Sequence, residues 1–261
     1  MTTVASTPGW YGKLPSLGDF ASRRLEGDFI EPWDTWLGEG LAAQRETLGD
    51  TWLEAYLASP TWRFVLMPGT LERLDPQRAL AGVLMPSVDR VGRYFPLTLV
   101  ADLDPVPPSA AAIEALLGWL HRLEDVALDA LQDDWTIDEL EEALERVGPT
   151  PGFDEASASP ALAALVEALD GDGGFVPIDE LGGRAELAAL FVAALRARSA
   201  AARTDALAAR TFWLADTPER PQLLVCAGLP RGDTFGRMFG GAGDSEASGA
   251  GAAGPQEDAA A

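Results

Sequence analysis

The sequence predicts a single-domain α/β fold, and three observations carry that prediction. Strand signals lie towards both ends of residues 1–239, helical periodicity fills the stretch between them, and no Gly/Ser-rich linker divides those residues. With 261 residues, the chain is long enough to bury a large core in one unit.

The elements follow in order. GWYGKLP (Gly9–Pro15) reads as a short strand running into a loop. In GDFIEPW, Asp28 and Glu31 have the spacing of a capping box that opens a helix, with Pro32 in its first turn. Phe29, Trp33, Trp36, Leu37 and Leu41 then recur on one helical face. A second helix follows Asp50, burying Trp52 or Leu53 with Tyr56 and Leu57, and Pro60 stops it. WRFVLMP (Trp62–Pro68) is a strand by its aromatic and β-branched content. Val83–Met85 and Tyr94–Val100 read as antiparallel strands joined through Asp89–Arg93.

From Ser109 the period becomes helical, with Ile113, Leu116, Leu117, Leu120, Leu123 and Leu131 on the apolar face. Thr136 and Glu139 form a second capping box, and Gly148-Pro149 ends that helix. A short helix around Ala161–Leu169, a turn at DGDGGF and an Ala-rich helix over Arg184–Ala209 come next. TFWLADT and QLLVCAGLP return to strand, and a short helix near Thr234–Phe239 closes the fold. Residues 240–261 lack large apolar side chains and are expected to form a disordered, acidic Gly/Ala-rich tail.

Charge narrows the function classes. The net charge is −22, of which −14 falls between Pro108 and Leu207 and is read as solvated helix faces. Such a chain repels phosphate and anionic lipid, which argues against nucleic-acid and membrane-surface partners. No signal-peptide pattern opens the sequence, and no apolar run approaches the roughly 20 residues of a membrane span, so a cytoplasmic location is expected. Cys226 is the sole cysteine, which excludes an internal disulfide and a cysteine metal cluster.

Catalytic motifs are sparse. His121 is the sole histidine, on the polar side of its helix, and Cys226 sits in an apolar strand as a core residue. The spacing of Asp170 and Asp172 suits a calcium loop, but the glycine at position six and the distal Glu are missing. LTLVADLDPV places Asp102 and Asp104 after a strand, as in Mg²⁺-dependent haloacid-dehalogenase-like phosphatases, yet no lysine follows Lys13 to neutralise a phosphoaspartate. Trp33, Trp36 and Trp62 could line an apolar sensor pocket, although that spacing is more often plain core. No catalytic residue, cofactor or metal site is assigned.

Four longer segments carry a resemblance. WYGKLPSLGDFASRRL, EPWDTWL, SPTWRFVLMPG and AGVLMPSVDRVGRYFPLTLV occur in order and resemble the TagF (ImpM) family of type VI secretion, most closely over residues 9–103. The resemblance implies a three-layer αβα sandwich with a mixed, largely antiparallel sheet over residues 1–239. It also implies a non-enzymatic cytoplasmic repressor that acts after translation on a forkhead-associated (FHA) scaffold, with a membrane-complex or PP2C phosphatase component as a further partner. LPSLGD and MPSVD both set Pro-Ser at a strand exit with an acid close behind. Lys13, Ser16, Asp19, Ser87, Asp89, Arg90 and Arg93 are therefore the candidate interaction residues. Two readings stand side by side: an internal ion-pair and turn-capping network, or a mixed-charge docking surface.

Overall fold

An eight-stranded sheet organises the chain in the computed structural model, in the order β2-β1-β5-β4-β3-β7-β8-β6. The structure describes residues 7–103, 110–151, 208–217 and 221–239. Between 165 and 194 it describes residues 165, 168, 169, 171, 173–176, 178, 184, 185, 187, 188, 190, 191 and 194. The strands are β1 (Gly9–Gly12), β2 (Ala21–Arg23), β3 (Trp62–Leu66), β4 (Leu80–Met85), β5 (Leu97–Asp102), β6 (Gly173–Val176), β7 (Arg210–Ala215) and β8 (Gln222–Ala227). Every pairing among them is antiparallel, so the sheet is not mixed as the resemblance implied.

Helices cover both faces. On one side lie α1 (Gly27–Leu48), α2 (Trp52–Leu57) and α5 (Gly232–Phe239), and on the other α3 (Ala110–Gln132) and α4 (Ile137–Val147). Strand alternation sorts the core between them. Leu80 and Leu84 of β4 join Trp62, Phe64, Trp33, Trp36 and Trp213 under α1, whereas Ala81, Val83 and Met85 join Leu99, Trp119 and Leu123 under α3. Further along the second face, Phe212, Leu214 and Val225 pack with helical Leu165, Leu169 and Leu190.

Several expectations need correction. Helix α1 begins at Gly27 with Glu26 as its N-cap and no side-chain cap, so Asp28 lies inside the first turn and closes no box. Pro32 is past the first turn and removes one rung of the helical ladder. In α2, Trp52 and Tyr56 are buried as expected, but Leu57 faces outward at 57 % exposed, because it lies about 100° round the helix from Tyr56, on the same outward face as Leu53. Strands β2 and β6 were unforeseen, and Gly173–Val176, read as part of a turn, is a sheet edge paired with β8. The Thr136–Glu139 capping box forms as predicted: Glu139 Oε2 accepts from the Thr136 amide at 2.8 Å, and those hydrogen bonds hold its carboxyl below the usual range. The expected helix over 184–209 is described to residue 194, while the tail and Asp104 lie outside the described residues.

Candidate functional site

The antiparallel β1–β5–β4 pairing brings two loops to the same end of the sheet. One loop, residues 13–20, leaves β1 for β2; the other, residues 86–96, joins β4 to β5. Gly12 makes the first turn possible. Its φ is +136°, and a Cβ there would overlap the Pro96 carbonyl, so a side chain would wedge the two loops apart.

Asp89 is the knot between them. Its carboxylate is fully buried and accepts four hydrogen bonds. Oδ2 receives Lys13 Nζ at 2.8 Å and Arg93 Nε at 2.7 Å, while Oδ1 receives the amides of Val91 at 3.0 Å and Arg93 at 2.9 Å. Burial alone would push this carboxyl up. The Lys13 ammonium, the Arg93 guanidinium and the two amides outweigh it and hold the group well below the usual carboxylate range. The backbone closes around the same centre through Asp89 N–H to the Arg93 carbonyl at 3.0 Å, and Gly92, at φ +80°, supplies the turn.

Further bonds lace the loops to the body. Ser87 Oγ donates to the Lys13 carbonyl at 2.8 Å, the Arg90 amide to the Leu17 carbonyl at 2.8 Å, and Arg93 Nη2 to the Gly18 carbonyl. Ser16 Oγ donates to the Trp135 carbonyl at 2.6 Å, which ties the first loop to the α3–α4 junction. From α2, Tyr56 accepts the Ser87 amide at 2.9 Å and donates to the Ser87 carbonyl at 3.0 Å; burial pushes its phenol up. The Phe20 ring covers the Lys13 ammonium at 4.1 Å and stacks on Tyr11 at 5.8 Å.

The structure thus separates the seven sequence-predicted residues. Lys13, Ser87 and Asp89 are buried, and Ser16 is half-buried and engaged. Asp19, Arg90 and Arg93 are exposed, with Arg93 3.9 Å from Asp19. Between the two arginines in sequence stands Val91, 64 % exposed, and Phe20, next to Asp19 on the other loop, is 43 % exposed. Among the described residues, the Arg90 guanidinium has no carboxylate partner. Sequence reasoning missed Tyr56, Phe20 and Val91. Phe20 was legible as an aromatic directly after the turn pair Gly18-Asp19, whereas the role of Tyr56 depends on a contact 31 residues away along the chain.

The remaining candidates are engaged elsewhere. Arg78 Nε donates to Asp102, and Thr150 Oγ1 donates to the Asp102 carbonyl at 3.0 Å. Trp33, Trp36 and Trp62 are core, with their indole N–H groups donating to Thr98 Oγ1, the Pro230 carbonyl and the Met238 carbonyl. His121 is exposed, 3.6 Å from Glu124, whose same oxygen lies 3.1 Å from buried Arg63. Cys226 is buried, and burial pushes its thiol up to about 11. Among the described residues, no helix is long and apolar enough to cross a membrane.

Fold and loops together define an antiparallel α/β protein that presents a braced, cation-bearing loop pair at one end of its sheet. Residues 9–147, more than half of the chain, match the TagF N-terminal domain, a type VI secretion system-associated family, and the chain belongs to that family. It is similar to the crystal structure of PA0076 from Pseudomonas aeruginosa PAO1, with 30% sequence identity and a TM-score of 0.62. That match covers 94% of this chain and 99% of the other. No curated protein matches the chain.

Proposed function

We propose that this protein is a non-enzymatic, cytoplasmic repressor of type VI secretion. It acts after translation by docking on a component of the machine, the FHA-domain scaffold foremost, with a membrane-complex or PP2C phosphatase component as a further partner. Membership of a type VI secretion-associated family supports the setting. Helical cover on both faces of the sheet supports reading the fold as the three-layer αβα sandwich of that family.

One observation carries the docking reading. The two loops divide into a buried frame, centred on the Lys13–Asp89 pair, and an exposed tip of Arg90, Val91 and Arg93. A tip already held by four bonds to one carboxylate has little conformational freedom left to lose on binding. Arg is among the residues enriched where proteins meet, and Val91 adds exposed apolar surface beside it. The buried frame supports the ion-pair and turn-capping reading, and the exposed tip supports the docking reading.

Calorimetry with the FHA scaffold from the same gene cluster tests this. Arg90→Ser/Val91→Ser alters the tip and spares the frame, so the expected result is an affinity loss of about tenfold or more with an unchanged Tm. Asp89→Ala/Arg93→Ala removes the frame and is expected to lower both affinity and Tm. Wild-type affinity in the folded tip variant would sink the proposed surface, and no binding by wild type would remove the scaffold as a direct partner.

A further inference from the structure

Phe20 is an exposed residue whose contacts lead inward. At 43 % exposed, it is the sole aromatic among the large apolar side chains that the described residues leave open to solvent. Its ring lies 4.1 Å from Lys13 Nζ, stacks on Tyr11 at 5.8 Å and packs in a T-shape against Phe95 at 4.8 Å. It belongs to the loop of residues 13–20 by sequence and rests on the loop of residues 86–96 through Phe95.

What the ring covers is an ammonium short of partners. Lys13 carries three N–H donors, and among the described residues a single oxygen, Asp89 Oδ2, accepts from it. The ring supplies the second contact and keeps water away. Both side chains of the pair are buried, at 4 % and 0 % exposed, so their attraction is that of a dry site. Water entering beside Lys13 would screen the pair and offer the ammonium other acceptors. Asp89 passes the effect on, because its Oδ1 holds the amides of Val91 and Arg93. Direct contacts thus join Phe20 to the tip: ring on ammonium, ammonium on carboxylate, carboxylate on two amides.

We propose that Phe20 is a lid that positions the tip. Seated on Lys13 it keeps the ion pair dry and the tip ordered; lifted, it lets the pair hydrate and the tip loosen. Its exposed part is where a contact from outside shifts that balance. On the reading of the tip as a partner surface, on which this consequence rests, a partner whose apolar surface presses on Phe20 holds the lid shut and orders the tip it binds.

Amide hydrogen exchange by NMR on the full chain tests the lid with no partner present. In Phe20→Ala the Val91 and Arg93 amides are expected to exchange about two- to thirtyfold faster than in wild type, the span a cation–π contact supplies. The Phe95 amide, which donates to the Ser87 carbonyl at 3.1 Å, reports on packing under the same ring and is expected to stay unchanged. The Leu103 amide, which donates to the Ala79 carbonyl at the far end of the β4–β5 pair, reports on global opening. Phe20→Tyr keeps the ring and is expected to retain wild-type exchange, whereas Phe20→Leu keeps an apolar cover without the π face and gains less than Phe20→Ala. Should Phe20→Ala accelerate Leu103 as well, Phe20→Leu decides, with faster exchange confined to residues 91 and 93 supporting the lid. Unchanged exchange there in both variants, or an increase shared equally with Phe95, would overturn the proposal. Scaffold calorimetry separates the two claims. A working lid in a chain that binds no scaffold sinks the partner reading alone, and scaffold binding by a chain whose tip ignores residue 20 sinks the lid alone.

Discussion

Asp89 shows how one side chain fixes a loop pair. A buried carboxylate without partners would be strongly disfavoured, and here two cations and two amides meet it. Because its folded-state pKa is depressed, the stability it contributes is fully present above the unfolded value of about 3.9 and is lost as pH falls through the lower folded value. Thermal melts should therefore show Asp89→Asn well below wild type at pH 7, with the gap narrowing below about pH 4. A gap that stays constant down to pH 3 would mean that shape rather than charge matters at this position. Arg63 poses a related case, since its buried guanidinium lies between Glu124 at 3.1 Å and Asp216 at 3.3 Å. Burial raises the Glu124 carboxyl, and the Arg63 charge opposes that shift.

Among the elements, the α1–α5 contact depends on absent side chains. At Gly40 a Cβ would overlap the Phe235 ring, whereas at Gly38, two residues earlier on the same helix, it would meet nothing within 4 Å. Urea denaturation is expected to show Gly40→Ala less stable by about 1–3 kcal/mol through overpacking. Gly38→Ala should gain about 0.5–1 kcal/mol from helix propensity. Equal effects at the two positions would contradict the packing described.

Elements with a strong period were legible in the sequence. The buried face of α1 (Phe29, Trp33, Trp36, Leu37, Leu41) and the capped start of α4 follow directly from spacing. What escaped was short or held by distant partners. β2 has three residues and no strand-forming run, and it exists because the loop of residues 13–20 brings the chain back antiparallel to β1, with Ala21 opposite Gly12. β6 begins in glycines that read as a turn until β8 pairs with them. At the candidate site, the Pro-Ser spacings located the two loops, and an ion-pair network among their charged residues was one of two readings; that Lys13 and Arg93 converge on Asp89, with Arg90 left out, comes from the structure. Which groups would be buried depended on the sheet order and on Tyr56 arriving from α2.

For the whole molecule, a net charge of −22 places the folded state under self-repulsion. Raising salt from about 20 to about 200 mM shortens the screening length from roughly 20 Å to under 10 Å, so Tm is expected to rise across that range. A falling Tm would mean that surface ion pairs such as Arg73–Glu31 outweigh the repulsion. The wholly buried contact of Lys13 with Asp89 is shielded from this change.

The position of β7 in the sheet has a consequence for synthesis. β3 is flanked by β4 from its own neighbourhood and by β7 from far downstream, with Arg63 opposite Leu214. About 150 residues must leave the ribosome after β3 before its second edge can be covered, which at about 5–20 residues per second is roughly 8–30 s. During that interval a nascent sheet ending at β3 would offer an open ladder to any other chain. The edge it offers carries the Arg63 guanidinium, second of five residues in an otherwise apolar strand, a charge that discourages intermolecular pairing. Glu124 can meet it once α3 is made, whereas Asp216 arrives only with β7.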